Sequence, residues 1–351
     1  ALSRRALLAG TAAGAVGLSL AACGKGKKAG SQADSKTVTV VTHDSFHVSE
    51  DLQKAFTSET GYTLKIATSG DAGALVNKLV LTKDAPLGDA VFGIDNTYAT
   101  RALDQGVIDT SATVTLPKGA ESYVVADTPA LAPIDVGDVC LNIDTGYFTG
   151  KGLTPPATFE DLTKPEYKGL LVAINPTNSS PGMAWLLATI GHFGAGSFAD
   201  YWKQLMANGA RIAEDWSAAY ETDFSGSGKG TYPIVVSYAS SPSFTVSKDK
   251  SSSSTSALLD TAFRQVEYAG VLKGAVNPEG GKAFVEWMLS KAVQEDIPGQ
   301  MYMYPVLPDA ALPEALTKFG PLSKSPVKVD PKEITTHREE WLNTWTEAVG
   351  K

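Results

Sequence analysis

From Thr37 onward the chain alternates short β-branched runs with stretches of helical periodicity. Thr37-Val-Thr-Val-Val-Thr42 predicts a strand, because β-branched side chains fill a pleated surface well. Residues 50–60 predict a helix with Ser49 as N-cap and Gly61 beyond its end. A second strand is expected over 62–67 and a helix over 72–82, where Leu75, Val76 and Leu79 share a face. Residues 90–93 read as a buried third strand and 98–105 as a helix. That order predicts a parallel sheet with right-handed crossovers.

A second set of elements follows Pro129 and Pro133. Residues 139–142 predict a strand crossing between lobes, and 170–174 and 232–238 predict two more strands. Helices are expected over 182–192, 201–208, 280–289 and 331–349, with sheet character returning over 266–272. Residues 251–256 read as a polar loop. In the last helix Ile334, Trp341, Trp345 and Val349 form a stripe that predicts packing rather than a site. The class is therefore α/β, with no internal repeat.

The first residues have a different pattern. Ser3-Arg4-Arg5 precedes an apolar run over 6–20, and Leu20-Ala21-Ala22-Cys23 closes it. A positive head, a short apolar middle and small residues at the end predict a signal peptide over 1–22. The middle is too short for a permanent membrane span. The ending resembles a lipobox, which makes Cys23 the lipidated first residue of the exported protein. Ser-Arg-Arg also resembles a twin-arginine signal, and both export routes stay open. Residues 23–36 hold the lipidated cysteine and a tether with no large apolar side chain, so the tether cannot bury itself. These features predict a protein held by lipid on the outer face of a membrane.

Composition adds limits. With 43% hydrophobic and 19% charged residues the rest is ordinary globular protein. A net charge of -8 argues against nucleic acid as a partner and mildly favours a cationic ligand. Cys140 is the one cysteine after Cys23, so no internal disulfide is expected.

Ligands of open parallel sheets bind beyond the carboxyl ends of the strands. His43-Asp44-Ser45-Phe46-His47 follows the first strand, Gly70-Asp71-Ala72 the second and Asp95-Asn96 the third. Asp71 suits either a helix cap or a ligand contact. Asn178-Ser179-Ser180-Pro181-Gly182 suits either an ordinary cap or an anion seat at a helix start. Trp216 and Tyr238 stand beside polar loops, where aromatics near carboxylates suit a flat organic cation. Ser225-Gly-Ser-Gly-Lys-Gly-Thr231 lacks the spacing of a phosphate loop, and Ser247-Lys-Asp-Lys250 lacks supporting motifs for a serine enzyme.

Several motifs then carry a resemblance in chain order. They are Asp44-Ser45-Phe46, Gly70-Asp71, Gly93-Ile94-Asp95-Asn96, Asn175-Pro176 with Ser179-Ser180-Pro181-Gly182, Trp216-Ser217-Ala218-Ala219-Tyr220, Ser237-Tyr238-Ala239-Ser240-Ser241-Pro242 and Met303-Tyr304-Pro305-Val306. From Thr37 to Lys351 the chain resembles the substrate-binding proteins of bacterial thiamine ABC transporters. The resemblance implies a bilobal type II periplasmic-binding fold, closing on its ligand by a hinge at crossing strands. It implies lobe 1 over 37–133 and 262–305, lobe 2 over 134–261, and a C-terminal helical segment over 306–351 packed on both.

Function and site follow from the same resemblance. A monomer would capture thiamine, or its phosphate or pyrimidine relatives, and deliver it to an ABC permease without a cofactor or catalysis. Asp71 would meet the aminopyrimidine, Trp216 and Tyr238 would stack on the rings, and Ser179 and Ser180 would seat the hydroxyethyl or phosphate end. His43, Asp44 and Tyr302 complete the expected contacts. The chain departs from the family where His43 replaces a Tyr, Phe244 a Tyr and Tyr302 a Trp, and where the early loop offers His47-Val48 in place of a Trp. A polyamine or ferric-ion binder of similar fold is the alternative. A thiamine-degrading enzyme would need Cys140 as nucleophile, and that residue sits in an apolar run with no local base.

Overall fold

The computed structural model describes residues 36–227 and 229–350. The predicted signal peptide, Cys23 and the tether up to residue 35 lie outside the described residues. The first half runs β1 (Thr37–Thr42), α1 (Glu50–Thr60), β2 (Thr63–Thr68), α2 (Ala72–Leu81), β3 (Ala90–Asp95) and α3 (Ala99–Asp104). Each lies within two residues of its expected bounds. Gly61 closes α1 in the left-handed conformation at φ 74°, which glycine adopts without cost from a Cβ. Ser49 makes no side-chain cap; its N–H instead donates to Asp296 Oδ2 at 2.8 Å.

The second part contains β4 (Ala132–Asp144), α4 (Thr145–Lys151), β5 (Leu171–Ile174), α5 (Ser180–Phe193), α6 (Phe198–Ala207), β6 (Arg211–Ala213) and β7 (Ile234–Tyr238). Then come β8 (Thr255–Val271), α7 (Pro278–Met288), α8 (Lys291–Gln300), β9 (Tyr304–Pro305), α9 (Glu314–Phe319) and α10 (Pro331–Val349). The sheet order is β2-β1-β3-β8-β4-β7-β5-β6, with β9 on β4. The outer groups β2-β1-β3 and β7-β5-β6 pair in parallel, as expected. Between them β4 and β8 run antiparallel to each other and to both neighbours.

These two crossing strands are longer than predicted. β4 has 13 residues, and β8 has 17 and starts at Thr255, taking the last two positions of the expected polar loop. Polar residues such as Asp135, Asp138, Gln265 and Glu267 interrupt their hydrophobic patterns, and all four are buried. Arg264 grips Asp138 through Nε at 2.5 Å and Nη2 at 3.0 Å, which explains how that carboxylate is held inside.

Helix α5 is buried on nearly all sides, consistent with its unbroken run Met-Ala-Trp-Leu-Leu-Ala. Trp185, Trp202 and Trp345 meet edge-on with centroids 5.2 and 5.7 Å apart, linking α5, α6 and α10. The predicted α10 stripe of Ile334, Trp341, Trp345 and Val349 is buried. At its other end α10 reaches α3: Thr335 bonds Thr100 at 2.9 Å, and the Arg338 guanidinium lies 4.2 Å from the Tyr98 ring centre. Among the described residues no helix is long and apolar enough to cross a membrane.

Candidate ligand cleft

The loops at the strand ends of both sheet halves enclose a cavity of about 360 Å³. Its lining includes His43, Asp44, Asp71, Ser180, Trp216, Tyr238 and Tyr302, seven of the eight residues expected from the sequence. Ser179 is the eighth and stands behind the wall. It is fully buried, accepts from Gly182 N–H at 3.5 Å as N-cap of α5, and its hydroxyl favours the charged form of Asp71. Ser180 lines the cavity, and its buried Oγ has no protein partner.

Asp71 is a helix cap and also lines the cavity, where a ligand contact would fall. As N-cap of α2 it accepts the Ala72 N–H at 2.7 Å while its side chain lines the cavity. Burial raises its pKa above the usual carboxylate value, against the stabilising pull of Ser179, the Ala72 N–H and His43. His43 is held by a bulge: β3 shifts register between Phe92 and Ile94, and Gly93 takes φ 99°. A Cβ at Gly93 would collide with the imidazole. The ring lies tilted on Phe92 at 5.4 Å, with Nε2 3.3 Å from Glu267 Oε1. Burial opposes charge on His43, but Glu267, helped by Asp71 and Asp44, raises its pKa above the ordinary value.

The aromatic wall comes from the other half. Trp216 stacks on Tyr220 at 5.0 Å and 10°, and its indole N–H donates to Ser237 Oγ at 3.0 Å. Tyr220 lies in a single π-helical turn over Ala218–Asp223. Tyr238 donates its hydroxyl to Gln265 Oε1 at 3.2 Å, and burial raises its pKa well above normal. Gly137 leaves room for this ring and for Met303, since a Cβ there would lie 2.8 Å from the Met303 sulfur. At the surface, Tyr302 (φ 65°) lies against Phe244 with ring centres 3.4 Å apart.

Sequence reasoning missed Glu267, Glu221, Ser241 and the methionines Met301 and Met303, all of which line the cavity. Glu267 was the most legible of these, being a charged residue at alternating spacing in an otherwise buried strand. Asp95 and His47 do not line the cavity. Cys140 is fully buried in β4 and also off the lining; burial and nearby Asp138 push its thiol pKa up, the reverse of an activated nucleophile.

The two walls also touch directly. The Gly73 N–H donates to Asn178 O at 3.1 Å, and the Tyr98 hydroxyl to Pro176 O at 3.2 Å. A cleft between two sheet halves, with Trp216 and Tyr238 on one side and most of its carboxylates on the other, is a receptor geometry for a small solute. Residues 89–320 match the bacterial extracellular solute-binding protein family. The chain belongs to that family.

Among curated relatives of this solute-binding protein are thiamine-binding periplasmic proteins. Those of Salmonella typhimurium and Escherichia coli are each 27% identical and cover 90% of this chain and 94% of their own length. The protein of that name from Brucella suis is also 27% identical, over 90% of this chain and 92% of its own. Among solved structures, a periplasmic thiamin binding protein superposes with a TM-score of 0.77 at 25% identity, covering 90% of this chain and 96% of its own. Iron-bound HitA from Pseudomonas aeruginosa gives 0.69 at 21% identity, covering 89% and 99%, a likeness of fold alone. These neighbours are periplasmic binding proteins, and the bilobal type II reading of the fold holds.

Proposed function

We propose that this chain captures thiamine, or a closely related cation, between its two sheet halves and delivers it to an ABC permease. The observation that carries the reading is the cavity itself, where Trp216, backed by Tyr220, shares the space with Asp71, Glu267 and Ser180, whose hydroxyl has no protein partner. A thiazolium ring is a flat, permanent cation, and stacking on an indole is worth about 0.5–2 kcal/mol according to how dry the site is. The curated relatives are named for binding the same molecule.

In this reading Asp71 receives the aminopyrimidine, Trp216 and Tyr238 sandwich the rings, and Ser180 takes the hydroxyethyl end. Ser179 acts by holding Asp71 and the start of α5. His43, Asp44 and Tyr302 complete the wall. The lobes are 37–133 with 262–305, and 134–261, with 306–351 packed on both. Capture involves no chemistry and no cofactor. The protein works as a monomer, exported behind the 1–22 leader and anchored through lipid on Cys23.

Calorimetric titration with thiamine, after unfolding and refolding to strip carried-over ligand, tests the reading. Saturable one-to-one binding is expected. Silence with thiamine and heat with spermidine or ferric citrate would overturn it.

A further inference from the structure

Three carboxylates stand in register across three adjacent strands beneath the cavity. Asp95 on β3 is directly opposite Glu267 on β8, and Glu267 is directly opposite Asp135 on β4. Directly opposite residues project on the same face, where like charges repel. All three are buried, with relative exposures of 0%, 5% and 0%. Glu267 alone of the three lines the cavity.

The hydrogen bonding leaves the row short of donors for three charges. Neither oxygen of Asp135 has a donor, and Asp95 Oδ2 has none, although Asp95 Oδ1 accepts the Thr97 N–H at 2.6 Å. An ionised carboxylate with no donor at zero exposure is costly, whereas a protonated one donates to its neighbour. Consistently, burial and then Glu267 push Asp135 well above the usual carboxylate range, and burial brings Asp95 to about 7. Two basic side chains face the row, His43 from the loop after β1 and Arg338 from α10. The phenols of Tyr238 from β7, Tyr98 before α3 and Tyr268 from β8 face it too, while Asp71 and Asp44 face His43.

We propose that Glu267 is a ligand-contacting carboxylate of the cleft floor, and that the Asp95–Glu267–Asp135 row releases a proton to solvent when a cation binds. This rests on the cationic-ligand reading above. A cation beside Glu267 replaces the proton as the neutralising charge of the row and also discourages charge on His43, so both effects expel protons. Affinity therefore rises with pH through the interval around 7. Asp95 and Asp135 act through Glu267 and are positioning residues.

The test is titration with thiamine at pH 7 in phosphate, imidazole and Tris, whose ionisation enthalpies differ. The slope of observed enthalpy against buffer enthalpy gives the protons released, expected to be about one per thiamine. Glu267→Gln is expected to remove most of that release and weaken binding about tenfold. Asp135→Asn keeps a donor toward Glu267, and it should shrink the release even if Glu267→Gln fails to fold. Thiamine binding with a buffer-independent enthalpy overturns the proposal and leaves the thiamine reading standing. Release unchanged in the folded variants also overturns it. Absence of thiamine binding overturns both.

Discussion

Gly73 offers a direct way to separate closure from ligand contact. It lies in the first turn of α2, does not line the cavity, and donates its N–H to Asn178 O at 3.1 Å across the cleft. A Cβ at this position would lie 2.7 Å from both the carbonyl carbon and oxygen of Asn178 and 2.7 Å from the Tyr98 hydroxyl. Two of those atoms are backbone and cannot rotate away. Overpacking of this kind costs about 1–3 kcal/mol, and the share set by the Asn178 backbone falls only on the arrangement in which the two walls touch. Alanine favours the helix by roughly 0.5–1 kcal/mol over glycine in any arrangement, which offsets the displacement of the Tyr98 hydroxyl within the same half. Gly73→Ala is therefore expected to weaken thiamine binding about 5–150-fold with thermal stability of the ligand-free protein unchanged or raised. Calorimetry gives the affinity, and small-angle scattering should show a larger radius of gyration. Gly150→Ala in α4, where a Cβ meets nothing within 4 Å, is the control. Affinity within twofold of the parent would refute the reasoning, because it would mean that the Asn178 contact does not gate binding.

Other outcomes follow from named groups. Asp71→Asn retains an N-cap acceptor but loses the charge, so it should weaken thiamine binding by at least about tenfold while denaturant stability moves by less than about 0.5 kcal/mol. Thiamine should bind more tightly than its diphosphate, since Asp44, Asp71, Glu221 and Glu267 all line the cavity; competition calorimetry ranks the two. Arg264→Ala strands the buried Asp138 and should cost about 3 kcal/mol in urea unfolding. Burial raises Asp95 to about 7 in the folded state, so between its unfolded value and 7 the native protein holds the extra proton. Ligand-free stability should thus fall as pH rises through that window, by up to about 4 kcal/mol, and Asp95→Asn should flatten the profile.

Much of the cleft was legible because its residues sit where local sequence patterns end. Asp71 and Ser179 mark helix starts, Tyr238 ends a strand, and Trp216 opens a polar-aromatic turn. Their approximate position at the strand ends required only the α/β alternation. The carboxylate row was not legible, because it exists only through the register of β3, β8 and β4, which are far apart in the chain. The lengths of β4 and β8 were underestimated for a related reason. Their buried polar residues break the hydrophobic pattern, and only the partners Arg264 and Ser323 N–H, which meet Asp138, show why such residues are tolerated inside. Helix α8 was missed because Pro298 lies within it. Ser179 stands behind the wall and Ser180 on it, since adjacent residues at a helix start point in different directions.

The placement of α10 limits how the molecule can move. Its C-terminal part is clamped in core, through Trp345 against Trp202, while its N-terminal part rests on α3 through an exposed threonine pair and the Arg338–Tyr98 contact. The helix thus behaves as a lever arm fixed to one half and leaning on the other. The end on α3 converges on Tyr98, whose hydroxyl also donates to Pro176 O, so parting the two walls has to release that phenol. One phenol therefore acts as both the catch of the cleft and the stop of the lever.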